Sequence, residues 1–201
     1  GIRRGITSGC DAFFMPQDVT EEFLGKYSQL DWNDAPMQSH CKRSEVESGE
    51  VRLVKTGAGD QTVHPVEARF LAPEVHSPLI IRRAVIKAAE LNRIVLQVSE
   101  SMGALKGTHI QKYLRYGEKT AFASKKSRAV PVSQRTSCAG RDPWYDLTHT
   151  KPGLMLWPMI QQYRHVVPAN PERLICNKRF FDIHPIGLSE QQETALQAIL
   201  N

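Results

Sequence analysis

Four short pieces of one stretch, Pro143-Trp144-Tyr145-Asp146-Leu147, Leu154-Met155-Leu156-Trp157-Pro158, Gln162-Tyr163-Arg164-His165-Val166-Val167 and Arg179-Phe180-Phe181-Asp182-Ile183, decide the fold class. Each carries large apolar or aromatic residues, and Pro, Gly and Asn stand between them, which is the pattern of a meander of short strands. Working outward, Ile2-Arg3-Arg4 and the aromatic run ending at Met15 flank a turn of Thr7, Ser8, Gly9 and Asp11, a hairpin signature. Val51-Arg52-Leu53-Val54-Lys55 reads as a strand entering the Gly57-Ala58-Gly59-Asp60 turn. Residues 79–98 are apolar with an ambiguous period, and a strand is expected at their far end, Ile94-Val95-Leu96-Gln97-Val98.

Helix signals are short and scattered. Thr20, followed by Glu21 and Glu22, starts one or two helical turns that stop at Gly25. Thr108 with Gln111 has the form of a capping box, and Ile110, Tyr113 and Leu114 repeat at helical spacing over 109–116 before Gly117. Ser189 with Gln192 is a second box, opening a helix with Ala195, Leu196, Ile199 and Leu200 on its apolar side. Residues 28–48 are polar and interrupted and read as a loop. Strands and helices do not alternate as βαβ units, so the expected class is α+β: short-stranded, bent mixed or antiparallel sheets flanked by a few short helices.

A chain of 201 residues, with 41% apolar and 23% charged residues, holds a core and is too short for a many-domain machine. No apolar run approaches the roughly 18 residues of a spanning helix. The start at Gly1 rather than Met, and a final helix without a stop signal before Asn201, lead to the expectation of a piece cut from a longer polypeptide. The boundaries expected are one domain over 1–187 and the start of a following helix over 188–201.

Cys10, Cys41, Cys138 and Cys176 are spread singly, without Cys-x-x-Cys spacing, which points to reduced thiols in a cytoplasm rather than to zinc or a disulfide framework. His40 beside Cys41 would supply two metal ligands, but no second pair lies at a usual spacing. Cys10 beside Asp11 lacks the neighbouring His, or the helix N-terminus, that would make a thiolate. The phosphate loop, the dinucleotide fingerprint, the zinc-protease motif and the nucleophile elbow are all missing.

Charge is the strongest functional signal. Residues 1–100 carry 12 Lys or Arg against 14 Asp or Glu, whereas residues 101–201 carry 14 against 7. Between Lys106 and Lys151 ten basic residues face three acidic ones, and residues 119–141 have few large apolar side chains, so an exposed basic loop is expected there. A polyanion is the natural partner. Lys106, Lys112, Arg115, Lys125, Lys126, Arg128, Gln134 and Arg135 are the candidate contacts. Cations there neutralise phosphates and give salt-dependent affinity, while an Arg, Lys or Gln placed at a base edge would give specificity.

Five motifs in order, Gly5-Ile6-Thr7-Ser8-Gly9-Cys10-Asp11-Ala12-Phe13, Tyr113-Leu114-Arg115-Tyr116-Gly117-Glu118, Trp144-Tyr145-Asp146-Leu147, Asn177-Lys178-Arg179-Phe180-Phe181-Asp182-Ile183 and Leu196-Gln197-Ala198-Ile199-Leu200-Asn201, span nearly the whole chain. This order resembles the C-terminal target-recognition region of N6-adenine DNA methyltransferases, including single-chain type II restriction-modification enzymes fused to a nuclease. The resemblance implies a module that grips double-stranded DNA while the base is flipped into a separate catalytic domain of the same polypeptide. In that family an Asn-Pro-Pro-Tyr-type motif and a Phe-x-Gly-x-Gly motif serve catalysis and S-adenosylmethionine. Neither occurs here, and Asn170-Pro171 is followed by Glu172-Arg173. The resemblance therefore implies no cofactor and no activity in this stretch, with methyl transfer, and cleavage in fused forms, belonging to the full-length enzyme.

Two other classes compete. A protein-interaction module with a solvated basic face would order its cations against acids of the same chain, and a small-molecule enzyme would need acid and base groups such as Asp142, Asp146 and His149. Phe13, Phe14, Trp144, Tyr145, Phe180 and Phe181 fit a core better than a base-stacking platform, because aromatic side chains bury the largest areas.

Overall fold

The computed structural model describes residues 1–57, 60–124, 127–160 and 166–200. In chain order the elements are β1 (Ile2–Arg4), α1 (Asp11–Phe14), β2 (Gln17–Asp18), α2 (Thr20–Lys26), α3 (Arg43–Glu47), β3 (Val51–Lys55), β4 (Val63–Glu67), β5 (Leu71–Val75), β6 (Ile94–Leu96), α4 (His109–Lys119), β7 (Ala121–Ser124), β8 (Ser127–Pro131), α5 (Thr136–Ala139), β9 (Met155–Pro158), β10 (Ile175–Cys176), β11 (Phe180–Ile183) and α6 (Glu190–Leu200). Short strands in small antiparallel and mixed sheets, with short helices beside them, make this an α+β protein. The chain divides into two compact units, residues 1–7, 73–93 and 149–201 in the first and residues 8–72 and 94–148 in the second.

In the first unit β1, β11 and β9 form an antiparallel sheet with β11 central, pairing Ile2 with Ile183 and Phe181 with Trp157. β10 pairs in parallel with the end of β5, Cys176 beside Val75. One face of these strands buries Val75, Leu156, Leu174, Cys176 and Phe180 with Ile86. A second cluster, Met155, Val167 and Ile183, receives Leu196 and Leu200 of α6. Ser189 Oγ accepts from Gln192 N–H while Gln192 Oε1 accepts from Ser189 N–H, so the capping box forms as its spacing predicts. The helix expected after residue 187 packs on this unit through Leu196 and Leu200.

In the second unit β2, β3 and β4 form an antiparallel sheet, with Val51 opposite Glu67 and Lys55 opposite Val63. Pro65, which has no N–H to donate, sits in the edge strand β4. The other core of this unit is aromatic. Phe13 lies parallel to Tyr113 with ring centroids 4.5 Å apart, and the edges of Phe14 and Phe122 meet it.

Several sequence expectations are corrected. Residues 11–15 are not the second arm of a hairpin: Ser8 Oγ donates to Asp11 Oδ1 (2.6 Å) and accepts from Cys10 N–H (3.1 Å), which turns the chain into α1, and β1 pairs with β11 instead. Residues 28–48 are more than a loop, because Trp32, Cys41 and Val46 are buried around Phe23 and Leu53 and α3 forms among them. Residues 143–147 are not a strand; Tyr145 is buried with its hydroxyl donated to Glu100 O, and Asp146 Oδ1 accepts from Thr148 N–H. Residues 79–93 hold the turns Pro78–Ile80 and Ala88–Glu90 and a β-bridge from Val85 to Ala169, with the expected strand formed at β6. α4 continues past Gly117, whose missing Cβ leaves room for the Phe13 ring; an added Cβ would lie 2.6 Å from it. The strand expected at 162–167 falls mainly outside the described residues.

Candidate nucleic-acid interface

The expected basic loop is built as a helix followed by a hairpin. α4 starts where Thr108 Oγ1 accepts from Gln111 N–H, and the Glu67 carboxylate accepts from His109 N–H (2.7 Å) and Ile110 N–H (2.9 Å). An acid on two free amides at a helix start is favoured by hydrogen bonding and by the helix dipole. One face of α4 buries Ile110, Tyr113, Leu114 and Gly117. Lys112, Arg115 and Lys119 stand on the exposed face, with Lys106 exposed just before the helix. Lys106, Lys112 and Arg115 form no ion pair among the described residues.

β7 and β8 pair antiparallel, Ala121 with Pro131 and Phe122 with Val130, so residues 119–141 are corrected from a loop to a hairpin, a short turn and α5. Lys125 and Lys126 stand between the two arms in sequence and lie outside the described residues; Arg128 is in β8, and its side chain also lies outside them. Gln134 is exposed.

Arg135 also makes contacts within the chain. Its guanidinium donates to Phe122 O (2.7 Å) and Gly9 O (3.1 Å), and the side chain is half-buried. Arg141, which sequence reading counted only as charge, donates to Ser8 O (2.6 Å) and lies over the Phe14 ring. Between them the two arginines hold the carbonyls of the turn before α1. Nothing in the spacing marks Arg135 and Arg141 as different from Lys112 or Arg115, since their partners are distant backbone carbonyls. We expect Arg135→Ala to destabilise the protein by about 2 kcal/mol, because two hydrogen-bonded carbonyls lose a charged donor. Arg115→Ala is expected to stay within about 0.5 kcal/mol, as an exposed substitution does. Urea unfolding of both variants is the check, and equal losses would remove the distinction.

A polar cluster missed by sequence reading lies behind α4. Asp60 accepts from Tyr116 Oη (2.5 Å), Thr56 Oγ1 (2.6 Å) and Thr62 Oγ1 (2.7 Å), and Thr62 Oγ1 is 2.8 Å from His64 Nε2. His64 is 3% exposed, and burial pulls its pKa down to about 4 against the opposing pull of Asp60. Only the Tyr116 position carried a signal, as a helix-end aromatic.

The thiols are not nucleophiles. Cys10, Cys41, Cys138 and Cys176 are free and buried, and burial raises each pKa, that of Cys41 to about 11 with Glu45 adding to it. Asn170 is likewise structural: Nδ2 donates to Gly153 O and Leu174 O, while Oδ1 accepts from Leu174 N–H. With its whole amide engaged and buried, it does not fit a methyltransferase's catalytic Asn. Among the described residues no helix is long and apolar enough to cross a membrane. No protein-family profile and no curated protein matches the chain.

Proposed function

We propose that this chain is the double-stranded DNA recognition module of a cytoplasmic, S-adenosylmethionine-dependent N6-adenine DNA methyltransferase, working with a catalytic domain elsewhere in the same polypeptide. The observation that carries the reading is the hairpin β7–β8 directly following α4, a helix whose exposed side carries Lys112, Arg115 and Lys119. A two-stranded ribbon fits the major groove, and Lys125-Lys126 is the sequence joining its arms. Lys106, Lys112 and Arg115, exposed and without ion pairs among the described residues, are suited to neighbouring phosphates. The motif order along the chain supports the same assignment. Chemistry is assigned to the absent domain, because the residues that the resemblance requires for it are not in this sequence.

The test is binding of labelled duplex DNA across a salt series, with the chain and its Lys106→Ala, Lys112→Ala and Arg115→Ala triple variant. Removing a cation that neutralises a phosphate is expected to lower the slope of log affinity against log salt by about one, with equal effect on all sequences. Lys125→Ala or Arg128→Ala is expected to relax the preference at one base pair if the residue reads a base edge. Salt-independent or absent duplex binding would overturn the reading.

A further inference from the structure

The chain's positive charge surplus is not in the unit that carries the hairpin. Counted by unit, the second has 15 Lys or Arg and 15 Asp or Glu, whereas the first has 11 against 6, which is the whole net charge of +5. Within the first unit several cations converge on the turn of residues 177–180. Arg4 Nε donates to Lys178 O (3.1 Å), and Arg4 is otherwise exposed. Arg179 is exposed, with its guanidinium 3.5 Å from His76 O. Asn177, buried, donates from Nδ2 to His76 O (2.6 Å) and accepts at Oδ1 from Arg179 N–H (3.0 Å), so one side chain ties the turn to His76.

His76 is itself held from behind. Its Nδ1 lies 3.0 Å from Oε2 of Glu74, a carboxylate with no exposed surface. A buried carboxylate needs a hydrogen-bonded partner; a proton on Nδ1 would supply one and fix the ring, and Asn177 Nδ2 lies 3.3 Å from the same nitrogen. Nε2 has no partner among the described residues, and the His76 side chain is 25% exposed. An anion at Nε2 would complete a line of carboxylate, imidazolium and anion, in which the imidazolium donates at both ends. Arg4, Lys178 and Arg179 bring positive charge to this turn, and the Glu74 carboxylate is buried beside His76. Such an arrangement is costly to build for a solvated face: it buries a carboxylate and a side-chain amide to orient one partly exposed ring.

We infer that the turn of residues 177–180, with Arg4 and His76, is a phosphate-binding site of the first unit suited to a backbone phosphodiester of duplex DNA. The choice of DNA as the source of the phosphate rests on the function proposed above; the anion chemistry does not. The site lies outside the basic stretch that sequence reading singled out, and its residues come from three separate parts of the chain.

The experiment follows the His76 ring by long-range proton–nitrogen NMR of the full chain while inorganic phosphate or a short DNA duplex is added, and measures duplex affinity across a salt series for the chain and its Arg4→Gln, Arg179→Gln double variant. Protonation and a shift at Nε2 with duplex, together with a salt slope lower by about one in the variant, is the expected result. A chain that binds duplex with neither a ring response nor a change of slope overturns the site and leaves the DNA reading intact. A ring that answers phosphate in a chain that does not bind duplex keeps the anion site and overturns the DNA reading. A ring silent to both probes overturns the site, and this readout needs no variant to fold.

Discussion

Replacing Phe13 by Ala is expected to destabilise the protein by about 4 kcal/mol, the range of a buried aromatic truncated in a close-packed core. Phe13 has no exposed surface and touches four aromatic rings: Tyr113 face to face, Phe14 and Phe122 by their edges, and Trp144 at a tilt. Its backbone carbonyl accepts the Tyr113 hydroxyl at 2.7 Å, so the ring stack and the hydrogen bond fix α1 against α4 together. Gly117 is fitted to the same ring, because any Cβ there would enter it. Loss of the ring leaves a cavity that Gly117 cannot fill, while the buried Tyr113 loses its stacking partner. Phe13→Leu keeps most of the volume and is expected to cost about half as much. Urea unfolding with near-ultraviolet circular dichroism measures both. A loss below about 1 kcal/mol for Phe13→Ala would show that the core collapses around the gap and that α1 is not anchored by this ring.

That prediction joins residues the sequence holds 100 positions apart, and it shows what kind of information was legible. The capping signals at Thr108 and Ser189 are local, so α4 and α6 start where the spacing says. Strands with β-branched or aromatic runs, Val51–Lys55, Ile94–Leu96 and Phe180–Ile183, also form, because burial and local preference agree there. The failures share a cause. Residues 11–15 look like a strand until Ser8 turns the chain and Arg135 and Arg141 hold the carbonyls before it, and those partners are more than 120 residues away. Gly117 looks like a stop until the Phe13 ring is packed on it. Residues 28–48 look like a loop because Trp32, Cys41 and Val46 follow no helical or strand period, yet all three are buried by Phe23 and Leu53.

The candidate site divides in the same way. Exposure of Lys106, Lys112, Arg115 and Gln134 was legible, since polar side chains beside an amphipathic stripe face water by default. The hold of Arg135 on two carbonyls was not, because a guanidinium that serves carbonyls has the same sequence appearance as one that serves a phosphate. Charge counted along the chain also misleads. The excess in the C-terminal half is real, but folding assigns residues 94–148 to a unit of balanced charge and leaves the surplus with the first unit. A basic stretch in sequence and a basic face in space are different quantities, and only the second acts on a polyanion.

The buried His64 gives the second large expected effect, a stability that falls with acid. Its pKa is pulled down to about 4 in the folded protein by burial, with Asp60 opposing, against an ordinary value of 6.5. The unfolded chain therefore binds a proton through a range where the folded protein refuses it. The stabilising contribution is complete above about pH 6.5 and is lost progressively as pH falls from there toward pH 4. Between pH 7.5 and pH 5 this amounts to about 2 kcal/mol. Asp60 acts in a lower window: burial would raise its carboxyl, but hydrogen bonds from Thr56, Tyr116 and Thr62 outweigh burial and hold its pKa below the ordinary value, so its contribution disappears only as pH falls below about 4. The two groups can thus be separated by pH. His64→Gln, which has no proton to gain, is expected to be less stable at pH 7.5 through poorer packing against Tyr113 and Tyr116, yet to lose about 2 kcal/mol less than the unaltered chain on going to pH 5. Urea midpoints at four or five pH values for both proteins decide the matter. Parallel curves would mean that His64 takes up its proton without unfolding the cluster, and that Thr62 and Asp60 rearrange to hold an imidazolium instead.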